Sequence, residues 1–199
     1  MPKGWVWVRL IDILNKLTDG THHSPPNTPE GEFMYITAKN IKDNGVDLSN
    51  ITYVSKKIHD EIYSRCNPEL GDILYIKDGA TTGIVAINNM EESFSMLSSV
   101  ALLKPSQFSF NQYLLWVLKS PVFYNYIRDD MSGAAITRVT LVKMKKAILP
   151  FPPLAEQKRI VKKVNQLMSF CDELGMEIRK SQTNATRLMD AVLRDAFEV

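Results

Sequence analysis

The sequence predicts an α+β protein: a mostly β head over residues 1–150, then one long coiled-coil helix over residues 151–199. Three observations predict it. Short apolar runs broken by Gly, Pro, Asn and Asp recur through the first 150 residues. Three amphipathic stretches interrupt those runs. After Pro150-Phe151-Pro152-Pro153 the punctuation stops, and Leu154 to Phe197 contain no proline and one glycine, Gly175.

In chain order, strands are expected at Trp5–Leu10, Phe33–Thr37, Ile51–Val54, Asp72–Lys77, Gly83–Ile87, Ser98–Leu103 and Ala147–Leu149. The first helix follows Ser55 and carries Ile58, Ile62 and Tyr63. The second follows Ser109, where Gln112 three residues on makes a capping-box pattern. It carries Tyr113, Leu114, Trp116, Val117 and Leu118. The third opens at Ser120 with Pro121 at the first helical position, where proline is favoured, and Val122, Phe123, Tyr126 and Ile127 form its stripe. These aromatics read better as core than as a platform for stacking bases.

The final segment has its own period. Ile160, Val164, Leu167, Cys171, Leu174, Ile178, Ser181, Ala185, Leu188 and Val192 recur in alternating steps of 4 and 3, an unbroken heptad seam. A 44-residue helix is about 66 Å long at 1.5 Å per residue. A helix of that length cannot bury its seam on its own small head, so it calls for a partner helix. The competing reading is a helical hairpin broken at Gln182–Thr183, although no Pro or Gly marks a turn there.

Composition bounds the function. The 199 residues hold 24 Lys+Arg against 22 Asp+Glu and are 45% apolar, which excludes a wholly disordered or fibrous chain. Residues 1–150 carry 16 basic and 15 acidic side chains, and residues 151–199 carry 8 and 7. Neither part is a basic block, so charge alone does not argue for nucleic acid. The longest run without a charged or hydrogen-bonding side chain, Ala147–Ala155, is far short of the roughly 20 apolar residues of a membrane span. The opening residues lack the apolar core of a signal peptide. Cys66 and Cys171 read as two reduced thiols of a cytoplasmic protein, neither a disulfide framework nor a zinc knuckle.

Catalytic machinery is not legible. There is no glycine-rich dinucleotide or S-adenosylmethionine fingerprint, and Gly79-Ala80-Thr81-Thr82-Gly83 lacks the lysine and length of a phosphate-binding loop. His22 and His23 are adjacent and His59 is remote, so no metal spacing appears. Glu156-Gln157-Lys158 could end a nuclease motif with Asp129 or Asp130 upstream. It opens a helix instead of sitting on a strand, and a glutamate there simply suits the helix dipole. The chain reads as a binder, with no catalytic residues and no cofactor of its own.

Three segments together resemble the specificity subunit of type I restriction-modification enzymes. They are Thr18-Asp19-Gly20-Thr21-His22-His23-Ser24-Pro25-Pro26, then Gly71-Asp72-Ile73-Leu74 followed by Gly79 and Gly83, and Leu149-Pro150-Phe151-Pro152-Pro153-Leu154-Ala155-Glu156-Gln157-Lys158-Arg159-Ile160-Val161. Pro2-Lys3-Gly4-Trp5 and Leu193-Arg194-Asp195-Ala196-Phe197 fit too. The resemblance implies a target-recognition head that reads double-stranded DNA and a helix that acts as a spacer. Members usually carry two heads and two long helices paired antiparallel, and this sequence holds one of each. With the unsatisfied seam, that implies an antiparallel homodimer through Ile160, Val164, Leu167, Cys171, Leu174, Ile178, Ala185, Leu188 and Val192. It also implies modification subunits, which bind S-adenosylmethionine and methylate adenine, and through them restriction subunits that use ATP with Mg. Glu156, Gln157 and Arg159, at the helix start, are the expected docking residues.

Base-reading and phosphate-gripping side chains are expected in the glycine-flanked loops of the head. Thr21, His22, His23 and Ser24 offer hydroxyls and imidazoles. Lys39, Asn40 and Lys42 follow a strand. Lys77, Thr81 and Thr82 belong to a glycine-bounded hairpin. Ser132, Thr137 and Arg138 lie in or beside another glycine-containing loop. Each has a plainer reading, as a turn cap or a solvated charge. Lys77 and Arg138 are the leading candidates. For the whole chain, the alternative is a coiled-coil scaffold or adaptor that binds no DNA.

Overall fold

A computed structural model describes residues 2–129 and 138–197. Its strands run β1 (Val6–Arg9), β2 (Leu14–Asp19), β3 (Phe33–Ile36), β4 (Ile41–Lys42), β5 (Gly45–Val46), β6 (Thr52–Val54), β7 (Ile73–Ile76), β8 (Val85–Ile87), β9 (Ser95–Met96), β10 (Val100–Pro105) and β11 (Ile148–Phe151). Its helices are α1 (Lys56–Arg65), α2 (Asn111–Lys119), α3 (Pro121–Arg128), α4 (Leu141–Lys146) and α5 (Leu154–Phe197). The fold is α+β. The chain divides into two units, residues 1–158 and 159–199.

The head is organised by an antiparallel sheet ordered β2-β10-β7-β8 and a second sheet ordered β6-β3-β9, in which β3 and β9 run parallel. Ile73, Leu74, Tyr75 and Ile76 of β7 are all buried, as a strand covered on both faces requires. They join Ile36, Phe94, Met96, Val100 and Leu102 in the core. β1 pairs antiparallel with β11, Val6 opposite Phe151 and Arg9 opposite Ile148, so the N-terminal segment is stitched to the strand that leads into α5.

Most expected elements form, with local differences. Leu14–Asp19 is a strand that the sequence did not announce, because its burial repeats at Leu14, Leu17 and Asp19 and does not alternate. α4 was also not foreseen. It is capped by Thr140, whose hydroxyl accepts from the Lys143 N–H, but its lysine-rich six residues show no apolar stripe. α3 begins as expected, with Ser120 accepting from the Phe123 N–H and Pro121 in the first turn. Phe123 and Ile127 are buried, whereas Val122 is 81% exposed. The Ser109–Gln112 capping box does not form. Ser109 instead donates to the Ile13 carbonyl at 2.7 Å, tying the start of α2 to the N-terminal segment.

α5 is one unbroken helix through Gln182 and Thr183, so the hairpin does not form. Its first turn belongs to the head. Gln157 is fully buried, accepts from the Phe110 N–H at 2.8 Å, and donates to the carbonyls of Phe108 at 3.0 Å and Pro152 at 2.9 Å. A buried amide with its groups paired fixes where the helix leaves the head.

Candidate functional site

Three of the four loops singled out in the sequence meet around one buried ion cluster. Lys77 follows β7, and its ammonium lies 3.0 Å from Asp78 and 3.5 Å from Asp19. Asp19, at the end of β2, also lies 3.4 Å from the His22 imidazole and 3.5 Å from Arg65. Arg138 lies 3.6 Å from Asp78, and the Val139 N–H donates to the Lys77 carbonyl at 2.8 Å. The cluster therefore fastens the Thr21–Ser24 loop, the 77–83 hairpin and the segment at Arg138, which bridges to Asp78, to one another. Removing water from charges is costly, and a mutual arrangement of two carboxylates around one ammonium offsets that cost.

Backbone geometry sets these loops. The Thr21 N–H donates to the Met96 carbonyl and the Ser98 N–H to the Thr21 carbonyl, both at 2.8 Å. Gly20 sits where any Cβ would overlap the Met96 carbonyl, which accounts for glycine there. In the hairpin, Gly79 and Gly83 both have positive φ, and Thr82 donates its hydroxyl to the Gly79 carbonyl at 2.7 Å.

Two clefts open beside the cluster. The first, about 410 Å³, is lined by Ser24, Asn27, Tyr35, Thr37, Lys39, Asn40, Asn50, Thr52 and Ser99 among others. It holds one cation, many hydroxyl and amide groups, and no carboxylate. The Tyr35 and Ser99 hydroxyls are buried there without a hydrogen-bond partner. Burial pushes the Tyr35 phenol up to about 12; the nearby Ser24 hydroxyl offsets this slightly but makes no well-formed hydrogen bond. The backbone joins this cleft to the cluster, for the Lys77 N–H donates to the Ser99 carbonyl at 2.9 Å. The second cleft, about 530 Å³, is lined by Tyr126, Asp129, Arg138, Thr140, Val142, Lys143 and Lys146. It sets three cations against one carboxylate, with the Lys143 ammonium 5.6 Å from the Tyr126 ring centre. Among the described residues no group of three or more His, Cys, Asp or Glu could hold a metal ion.

The candidate residues divide on this geometry. Ser24, Lys39 and Asn40 line the first cleft and Arg138 the second. His22, His23, Lys42 and Thr81 are exposed but line neither. Thr21 is half-buried, its hydroxyl donating to the His23 carbonyl at 3.1 Å. Three residues are corrected from exposed groups to structural ones. The Lys77 side chain is 3% exposed, consumed by Asp19 and Asp78. Thr82 is a turn cap. Asn40 accepts from the Thr37 N–H and donates to the carbonyls of Asp47 and Asn50, so its amide holds the loop together. Gln157 is likewise corrected, for it offers no surface to a partner, while Glu156 is half-buried and Arg159 exposed. Ser132 and Thr137 lie outside the described residues. Tyr35, Ser99, Lys143 and Lys146 went unremarked in the sequence. Only the run of lysines after Thr140 could have drawn attention to the last two.

The helical unit contrasts with the head. Leu167, Leu174, Ile178, Leu188 and Val192 are 49%, 64%, 58%, 67% and 58% exposed, and Cys171 is an exposed free thiol. Ile160 and Val164 are half-buried, and Ala185 is exposed.

Residues 2–181 match the model of the type I restriction modification DNA specificity domain. The chain belongs to this family. Its similarity to the type I restriction enzyme EcoBI specificity subunit of Escherichia coli is 26% identity over 99% of this chain and 42% of that subunit. The putative MjaX specificity subunit of Methanocaldococcus jannaschii is 26% identical over 89% of this chain and 43% of its own length. This specificity-domain chain thus spans under half the length of these relatives. Among solved structures, one described as the basis of assembly and conformational transition of a type I restriction-modification system superposes with a TM-score of 0.76, at 24% identity over 99% of this chain and 46% of that one. The HsdS subunit of Thermoanaerobacter tengcongensis gives 0.58, at 21% identity over 85% and 38%. Both likenesses confirm the fold. No helix among the described residues is long and apolar enough to cross a membrane.

Proposed function

We propose that this chain is the non-catalytic DNA-reading component of a cytoplasmic type I restriction-modification assembly. The head binds one half-site in double-stranded DNA, and α5 pairs with α5 of a second copy in antiparallel fashion. The observation that carries the reading is the pair of clefts flanking the Lys77–Asp19–Asp78 cluster. One is a hydroxyl- and amide-rich cleft with a lysine and no carboxylate, and the other is a cleft with three cations and a tyrosine. Hydroxyls, amides and lysine serve both phosphate oxygens and base edges, and arginine suits guanine or phosphate. Lys39 and Arg138 are the principal cations, and Ser24 is the polar contact at the first cleft. Lys143 and Lys146 supply further positive charge beside Arg138.

Two identical heads related by a two-fold axis read identical half-sites in opposite orientation, so the target is an interrupted palindrome. Modification subunits bearing S-adenosylmethionine methylate adenine within it and recruit restriction subunits that use ATP with Mg. Arg159 and the exposed lysines at the start of α5 form the docking edge for the modification subunits. Methylome sequencing of a host carrying this chain with its modification subunit tests the reading. An interrupted palindromic methylated motif is expected. A motif unchanged by deleting the chain overturns DNA recognition and leaves the scaffold alternative. An asymmetric motif overturns the homodimer.

A further inference from the structure

The first cleft is floored by one face of a strand pair. Tyr35 of β3 stands opposite Thr52 of β6, and directly opposed residues of an antiparallel pair project to the same side. Thr37, two positions beyond Tyr35, and Asn50, two positions before Thr52, line the cleft with them. Ser99 enters from the turn before β10, where its carbonyl accepts from the Lys77 N–H at 2.9 Å. Each of these side chains carries a hydroxyl or an amide, and none is charged.

Two of these groups are left unpaired. The Tyr35 and Ser99 oxygens are enclosed and have no hydrogen-bond partner among the described residues, and Tyr35 as a whole is 2% exposed. A buried polar atom without a partner costs stability, and nearly all such atoms in folded proteins are paired. The wall beside them is satisfied, for Thr37 donates its hydroxyl to Asn40 Oδ1 at 3.2 Å. Burial pushes the Tyr35 phenol up to about 12, so it keeps its proton and can donate as well as accept. Its neighbour Ser24 is exposed, and an exposed side chain changes rotamer within nanoseconds, which gives an entering group a way down to the phenol.

We propose that the first cleft receives the edge of one base, and that the Tyr35 and Ser99 hydroxyls at its floor decide which base is accepted. The proposal rests on the DNA-reading function above and places its selectivity on residues that the sequence did not single out. Charge favours a base edge over a phosphate. A phosphate is negative, and the floor meets it with neutral groups only, Lys39 being an exposed side chain of the lining. The second cleft, with three cations, is the better phosphate site. Base edges are uncharged and mix donors with acceptors, which hydroxyls and amides complement. A matching edge pairs both enclosed hydroxyls, and a wrong one leaves them unpaired, so the site rejects it.

Tyr35→Phe and Ser99→Ala each remove one oxygen and keep the shape of the floor. Each full-length variant is expressed with its modification subunit in a host, and the methylated motif is mapped by sequencing. Affinity of the purified complex is measured for the wild-type target and for duplexes changed at each motif position in turn. Both variants are expected to become degenerate at the same single position, with discrimination there falling about tenfold and the rest of the motif kept. Their melting temperatures are expected not to fall, because losing an unpaired buried hydroxyl relieves a cost. Ser99→Ala, on a separate element, decides the case if Tyr35→Phe unfolds the head. An unchanged motif with unchanged discrimination overturns the proposal, and a lowered melting temperature beside it assigns the hydroxyls to the fold. Equal weakening at every position also overturns it, for that is the mark of a phosphate contact. In these cases the chain still directs methylation, so DNA reading stands. A motif that survives deletion of the chain removes DNA reading and the proposal together.

Discussion

The head and the long helix use the same kinds of residues to opposite effect. In the head, Leu10, Ile36, Ile73, Ile76, Phe94 and Leu102 are fully buried, and even the charges of Asp19 and Lys77 are enclosed and paired. In α5, Leu174, Ile178, Leu188, Met189 and Val192 each leave more than half their surface in water. Burying apolar area yields roughly 25 cal/mol per Å², and the head collects that gain internally. The helix holds an equally regular apolar stripe and collects little of it. A sequence that keeps a heptad period with nothing to cover it is specified by a partner as well as by its own fold.

The sharpest way to break this contrast is at the stripe. Replacing Leu167 and Leu174 together by Asp is expected to abolish dimerisation in sedimentation, because an unpaired charge enters two layers of the seam. The urea midpoint of the head should stay where it was. Within the head the largest expected effect is at the ion cluster. Lys77→Met leaves the Asp19 and Asp78 carboxylates without their shared cation and should lower stability by about 3–5 kcal/mol in urea denaturation. Gln157→Ala removes the side-chain partner of three backbone groups, the Pro152 carbonyl among them buried, and should cost about 1–3 kcal/mol. That loss falls on the head and spares the dimer, which sharpens the boundary at residue 158.

Smaller effects concern binding and pH. Lys39→Ala and Arg138→Ala are each expected to weaken DNA binding by the assembled complex by about 1–3 kcal/mol, read by fluorescence anisotropy against salt, with head stability unchanged by the first and lowered only slightly by the second, whose exposed guanidinium pairs with Asp78. Burial lowers the affinity of His59 for a proton; its ring stacks 4.1 Å from Phe33 and its Nδ1 lies 3.0 Å from the Ser95 hydroxyl. The unfolded chain takes up that proton near pH 6.5 and the folded chain only at lower pH. Head stability should therefore decline as the pH falls below 6.5, and His59→Gln should flatten the decline.

Features carried by period and punctuation were legible in the sequence. The heptad and the absence of Pro and Gly placed α5, and Ser120-Pro121 placed α3. The apolar run at 73–76 placed the central strand. Features made by distant residues meeting were not. Lys77 beside Gly79 looked like an exposed loop lysine, because nothing local reveals that Asp19, across the sheet, encloses it. Asn40 looked like a base reader, because nothing local reveals that its amide binds the backbone of Thr37 before it and of Asp47 and Asn50 after it. The first cleft joins Ser24, Tyr35 with Lys39, Asn50 and Ser99 from four separate stretches, and the sheet in which β3 pairs with both β6 and β9 helps bring them together. The motif Pro-Pro-Leu-Ala-Glu-Gln marked the family and the helix start. Its glutamine faces inward to the head, which the motif alone does not tell.

The central claim is that α5 is completed by a second copy of the chain. Light scattering of the purified chain at micromolar concentration tests it most directly. The expected result is a particle of twice the 22.6 kDa chain mass that keeps its helical circular dichroism. A particle of 22.6 kDa with the same helical signal contradicts it.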